Sequence, residues 1–285
     1  VATDTSSRPG APGGPESGLP RERPSDETLR EIRRLLSSTD AGDLGRGLEL
    51  VRQEIARVGT EEARPLLEAV SSVFYLDPLD RPDLVPVLDE AVDLVAGFGE
   101  WVIPFLVDRL EAGDVKAQLA VGHALGRIGA DAIAPLMAKY DAVTDPAVGP
   151  FVLYALGKIG SPRVAQAVPM MLEAAGSEDL ETRDTAARAL GRMAGSIPAG
   201  GLPDELGRAV VDRLHALLAD TNAGVRAKAV RSLGKLAKGG HMKAPERETL
   251  AAVCRRLLGE DGSFEWDRAW VVRREAEAAL ESATG

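Results

Sequence analysis

Residues 179–194 read DLETRDTAARALGRMA, and residues 222–237 read NAGVRAKAVRSLGKLA. In both, an Asp or Asn stands eleven positions before the leucine of the A/S-L-G element and an arginine stands seven before it. Small or apolar residues stand eight and four before that leucine and three after it. A leading Asp or Asn accepts from the free amides of a helix's first turn, and the apolar spacing places one stripe along one helical face. Each stretch therefore predicts a capped amphipathic helix with a glycine just past its central leucine.

The same register recurs along the chain. Aligning on the leucine gives Leu125 in HALGRIG, Leu156 in YALGKIG, Leu190 and Leu233, separated by 31, 34 and 43 residues. A degenerate copy follows at Leu280, and weaker upstream copies put Ile55 and Val95 in the same slot, about seven units in all. Asp114, Asp145, Asp179 and Asn222 hold the capping position. Between copies lie further apolar runs, such as ADAIAPLMAKY at 130–140, that supply a second helix. The repeating object is a helix pair, and one pair cannot bury its apolar face alone, so neighbours must stack.

Composition agrees with helices. The chain has 285 residues, 45% hydrophobic and only 4% aromatic, with little of the β-branched and aromatic alternation that sheets use. No apolar run approaches the roughly 18 to 20 residues of a membrane span, and the start lacks the apolar core of a secretory signal, so the cytoplasm is the expected location. The one cysteine, Cys254, sits in an apolar helical run and reads as a buried structural thiol. Residues 1–24, rich in Pro, Gly and Ser, read as a disordered tail, and residues 25–285 as one solenoid beginning at the helix cap Ser25.

With its D-x2-V/T-R-x2-A-x2-A-L-G-x-I/M/L-G/A pattern, the chain resembles the HEAT-repeat family, and more closely the short bacterial HEAT-like repeats first noted in phycobilisome lyases. The resemblance covers most of residues 45–284. It implies an all-α fold, a right-handed α-α superhelix of about six to seven helix pairs whose second helices line the inner surface. Two copies depart from the pattern: Gly149 and Pro150 replace the arginine region of one unit, and Glu281 stands where other copies have the glycine directly after the leucine.

The glycines of GRIG and GKIG raise the alternative of a phosphate cradle. A P-loop needs a strand before it and a helix after it, whereas these glycines fall at helix C-termini, where the helix dipole repels anions. Packing is the better reading, with Gly126, Gly157, Gly191 and Gly234 inside helices against a neighbouring helix, and Gly129 and Gly160 ending theirs. Arg183, Arg226 and Arg273, near the edge of the stripe, read as a ladder bonded to carboxylates or carbonyls of adjacent units.

The outward positions two before and two after the leucine carry His123 and Arg127, Tyr154 and Lys158, Arg188 and Arg192, Arg231 and Lys235. With Lys228 they form a basic stripe with one tyrosine, in a chain of net charge −10. Two readings stand: a solvated face with local ion pairs, as Asp184 before Arg188 suggests, or a groove for a partner. Trp101, Trp266 and Trp270 read as packing anchors or a terminal cap, or, for an exposed pair such as Trp266 and Trp270 near the groove, as an interaction hot spot. The loops GSIPAGGLPDELG and KGGHMKAPERE lengthen two successive units at equivalent points.

No paired carboxylates in an apolar setting, no Ser-His-Asp set and no metal-ligand spacing among the three histidines are found. Catalytic residues, metal and cofactor are therefore not expected. The leading reading is a non-enzymatic protein scaffold binding an acidic or anionic protein partner on the basic stripe. The resemblance admits a phycobilisome-type bilin lyase or chaperone as an alternative, and a HEAT-like DNA glycosylase as a lesser one. The acidic balance and scarce aromatics weigh against nucleic acid, and no membrane partner is expected.

Overall fold

Ser25 accepts a hydrogen bond from the Thr28 amide at 3.1 Å and starts the first helix, as its sequence position predicts. The computed structural model describes residues 23–263 and 265–285. The tail expected over 1–24 thus lies outside the described residues up to position 22. Arg23 and Pro24 are described: Pro24 is buried, and the Arg23 carbonyl accepts from Arg57 at 3.2 Å.

Fourteen α-helices follow among the described residues, in seven pairs. They are α1 (Asp26–Leu36) and α2 (Ala41–Val58); α3 (Arg64–Ser71) and α4 (Val85–Gly97); α5 (Ile103–Arg109) and α6 (Val115–Ile128); α7 (Ile133–Ala142) and α8 (Gly149–Leu156). The second half adds α9 (Val168–Ala174) and α10 (Leu180–Met193); α11 (Asp204–Ala216) and α12 (Ala223–Lys238); α13 (Ala244–Leu258) and α14 (Trp270–Thr284). Each odd helix packs on its even partner, and the even helices form a continuous ladder from α2 to α14. The protein is a HEAT-like helical-repeat solenoid, all-α as expected.

The ladder is built by the predicted stripe. Val121 and Leu125, Val152 and Leu156, Ala186 and Leu190, and Ala229 and Leu233 are all buried in one core. Burying each such leucine contributes ~2 kcal/mol. Leu280, on α14, is only partly buried. Cys254 is fully buried, and burial pushes its thiol up to about 12, which leaves it inert as a nucleophile.

Small residues set the ladder spacing. A Cβ added at Gly126 would lie 2.5 Å from the Lys158 Cβ, one at Gly191 2.2 Å from the Ser232 Oγ, and one at Gly234 3.0 Å from the Ala279 Cα. Gly129, at φ 88°, closes α6 in a conformation other residues resist.

The unit around α8 departs from expectation. Asp145 accepts from the Ala147 amide but caps only a turn, and the helix begins at Gly149, with Pro150 in its first turn. It also ends early: Lys158 and Ile159 donate to Ala155 and Leu156, so the last turn tightens to i→i+3 bonding. Gly157 is therefore the residue that ends the helix, and Gly160 lies beyond it.

The arginine ladder joins adjacent units at Arg183 and Arg226, whereas Arg273 bonds to carbonyls of its own unit. Arg183 donates to Asp220 at 2.9 Å and to the Ser177 and Glu178 carbonyls. Arg226 makes a two-point contact with Asp267 at 2.7 and 3.0 Å and reaches the Asp220 and Thr221 carbonyls. Arg273 donates to the Asp267 and Arg268 carbonyls.

Candidate anion-binding groove

The outward residues of α6, α8, α10 and α12 meet around Tyr154. Its hydroxyl lies 2.7 Å from His123 Nε2, and the two rings stand edge to face. Space for the tyrosine ring comes from Gly122, where a Cβ would lie 2.8 Å from it. Lys158 Nζ approaches within 5.0 Å of the ring centre and the Arg192 guanidinium within 5.6 Å. Nothing in the sequence pattern marked Gly122 as the residue that makes room.

The seven lysines and arginines among the nine predicted residues divide into two groups by charge balance. Arg127 pairs with Asp89 and Asp93, Lys228 with Asp184, and Arg231 with Glu275 at 2.8 and 2.5 Å. These three follow the solvated-face reading, with partners on neighbouring helices rather than their own. Lys158, Arg188, Arg192 and Lys235 have no carboxylate partner among the described residues. Arg188 Nε and Arg192 Nη1 are buried without a hydrogen-bond acceptor.

Crowding shows in the protonation equilibria. Burial, then Arg192, Arg188 and Arg127, lower Lys158 from 10.5 to about 8. Burial, then Lys158, Arg127 and Arg192, lower His123 from 6.5 to about 4, so this histidine is neutral near pH 7. Like charges held together without counter-charge reduce stability, and such arrangements concentrate at functional sites.

Beside the cations lies a cleft of 670 Å³. Val115, Leu119, Pro150, Phe151 and Tyr154 give it an apolar lining from α6 and α8, and Asp179, Glu181, Asp184, Arg188 and Lys228 add charged groups. Pro150, one of the departures from the repeat pattern, is thus a wall of the cleft. Beyond Arg192, a crevice of 330 Å³ is bordered by Lys235 and Lys238 among four small residues. Lys238 escaped the sequence reading because it falls outside the two outward positions; its signal is its place in the basic last turn of α12.

The tryptophans separate. Trp101 is an anchor, packed edge-on against Phe98 with the Arg64 guanidinium 4.3 Å over its ring. Trp266 and Trp270 are exposed at 59% and 63%, with Arg274 over Trp270. The two long loops lie side by side, joined by Lys243 and Asp204 at 2.7 Å. Among the described residues no group of side chains is arranged to hold a metal, and no helix is long and apolar enough to cross a membrane.

No family model matches the chain, and no curated protein matches it. Solved structures do. Kap121p bound to Ste12p is 14% identical, with a TM-score of 0.62, covering 91% of this chain and 30% of that one. The karyopherin Kap121p bound to the extreme C-terminus of the protein phosphatase Cdc14p is 15% identical, with a TM-score of 0.62 and the same coverage. A designed armadillo repeat protein, YIII(Dq.V1)4CPAF in complex with peptide (KR)4, is 22% identical, with a TM-score of 0.46, covering 90% of this chain and 99% of that one. The likeness to the karyopherin is one of fold: a helical-repeat solenoid.

Proposed function

We propose that this protein is a non-enzymatic scaffold that binds an anionic segment of a partner protein on the outward face of its even helices. The observation that carries the reading is the set of cations without counter-charge, Lys158, Arg188, Arg192 and Lys235, of which Arg188 also lines the neighbouring cleft. Unpaired charge held partly out of water is costly to the free protein. A bound anion removes that cost, so the same feature that weakens the free fold favours the complex. The apolar wall supplies contact area that does not depend on salt, and the cations supply orientation and encounter rate.

The test is affinity capture followed by cross-linking, comparing the wild type with a variant in which Lys158, Arg188, Arg192 and Lys235 become glutamate. Partners that cross-link near Tyr154 in the wild type and vanish in the variant support the reading. A partner set unchanged by four charge reversals overturns it.

A further inference from the structure

The unbalanced charge of this face is local. Of the cations on the stripe, Arg127, Lys228 and Arg231 are neutralised by acids of neighbouring helices. What remains is one patch: Lys158 just after α8, Arg188 and Arg192 on α10, and Lys235 on α12. Lys158 and Arg192 both converge on the Tyr154 ring.

We infer that this patch binds a single phosphorylated side chain, carried by a partner segment whose neighbouring apolar residues lie in the cleft walled by Val115, Leu119, Pro150 and Phe151. The inference rests on the groove reading above and narrows it to one ligand chemistry.

Charge and geometry both favour a phosphoryl group over a carboxylate. Four uncompensated cations exceed what one carboxylate balances, whereas a phosphomonoester carries about −1.5 to −2 and three acceptor oxygens near neutral pH. The two guanidinium groups present planar forks suited to tetrahedral oxyanions. Arg188 Nε and Arg192 Nη1 are donors already removed from water with nothing to donate to. Each guanidinium carries further N–H donors in the same planar fork, and a compact anion with several oxygens offers acceptors to both. The lowered affinity of Lys158 for its proton fits the same crowding of positive charge.

A long polyanion fits poorly. A nucleic-acid backbone needs cations along its whole track, and here the track is interrupted by ion pairs and by Asp179, Glu181 and Asp184 along the cleft. A run of acidic residues meets the same repulsion. One anionic group flanked by apolar residues meets none of it, since Val115, 57% exposed, and Phe151 offer it an uncharged bed.

The experiment uses the full chain on degenerate nine-residue peptide arrays with a central phosphoserine or phosphothreonine. The same peptides unphosphorylated, peptides with a run of glutamates, and a DNA duplex serve as comparisons. Phosphorylated peptides with apolar flanks should retain the protein at least tenfold more than their unphosphorylated forms. Arg192→Gln and Lys158→Gln should each reduce retention about tenfold, while Arg163→Glu, an exposed residue of a different segment, leaves it unchanged. Removing an unpaired buried charge relieves repulsion, so both glutamine variants should melt no lower than wild type, which separates lost binding from lost folding.

Equal retention on phosphorylated and unphosphorylated peptides overturns the inference, as does stronger retention on the duplex. Equal retention on glutamate runs, lost in Arg192→Gln, overturns it while leaving the acidic-partner reading standing. Retention indifferent to Arg192→Gln overturns both.

Discussion

Gly191 on α10 faces Ser232 on α12 so closely that a Cβ at 191 would lie 2.2 Å from the serine hydroxyl and 2.6 Å from its Cα. The serine cannot swing aside freely, because its Oγ donates to the Ala187 carbonyl at 2.7 Å in a buried position. Gly191→Ala should therefore destabilise the protein by about 1–3 kcal/mol through overpacking, despite alanine's better helix propensity. Gly207, in the interior of α11, has nothing within 4 Å of an added Cβ. There Gly207→Ala should stabilise by ~1 kcal/mol. Denaturant titration of the two variants checks the pair; equal shifts of either sign would show that the ladder contact is not tight.

The two-point contact of Arg226 with Asp267 joins α12 to the segment leading into α14, and Asp267 also accepts from the Ala269 amide at 2.8 Å. Its carboxylate side chain is only 8% exposed. Asp267→Ala leaves a half-buried guanidinium short of its partner and should cost about 3 kcal/mol. Asp131→Ala removes an exposed pair with Arg163 and should cost no more than ~1 kcal/mol. Thermal unfolding by circular dichroism compares them.

Glu275 gives a pH signature. Hydrogen bonds from Arg231 and then Arg274 hold its carboxyl down to about 2 from an ordinary 4.5, although burial alone would raise it. A depressed folded-state value means the contribution is fully present above 4.5 and is lost as pH falls toward about 2. The urea midpoint of the wild type should fall through that window, and Glu275→Gln should flatten part of the fall. A variant with the wild-type slope would show that another carboxylate dominates.

Lys158, at about 8 in the free protein, should regain its proton when an anion enters the patch. Near pH 8 a phosphoryl group is already fully ionised, so binding of a phosphorylated peptide should take up roughly half a proton per complex. Calorimetry in two buffers of different ionisation heat measures this uptake, and Lys158→Gln should abolish it. Zero uptake by the wild type would place the anion away from Lys158.

Nearly all of the fold is legible in the chain. The caps Asp114, Asp179 and Asn222, the stripe through Leu125, Leu190 and Leu233, and the glycines beside them are local signals, since a helix's start and buried face depend on residues within a few turns. The α8 unit is the exception. Its cap position reads like the others, yet the helix starts only at Gly149 and Pro150, and its final turn tightens to i→i+3 bonding.

The groove was only half legible. Sequence alone placed nine residues on one face, because helical period decides direction. Which of them carry free charge was decided by the tertiary structure. Arg231 meets Glu275 across 44 residues, and Arg127 meets Asp89 across 38. Those distances are set by repeats of unequal length, so no fixed spacing announces the pairs. Lys228 looked free along its own helix and is neutralised by the helix before it, while Arg188, preceded by Asp184 on its own helix, is left without a partner because that carboxylate turns to Lys228.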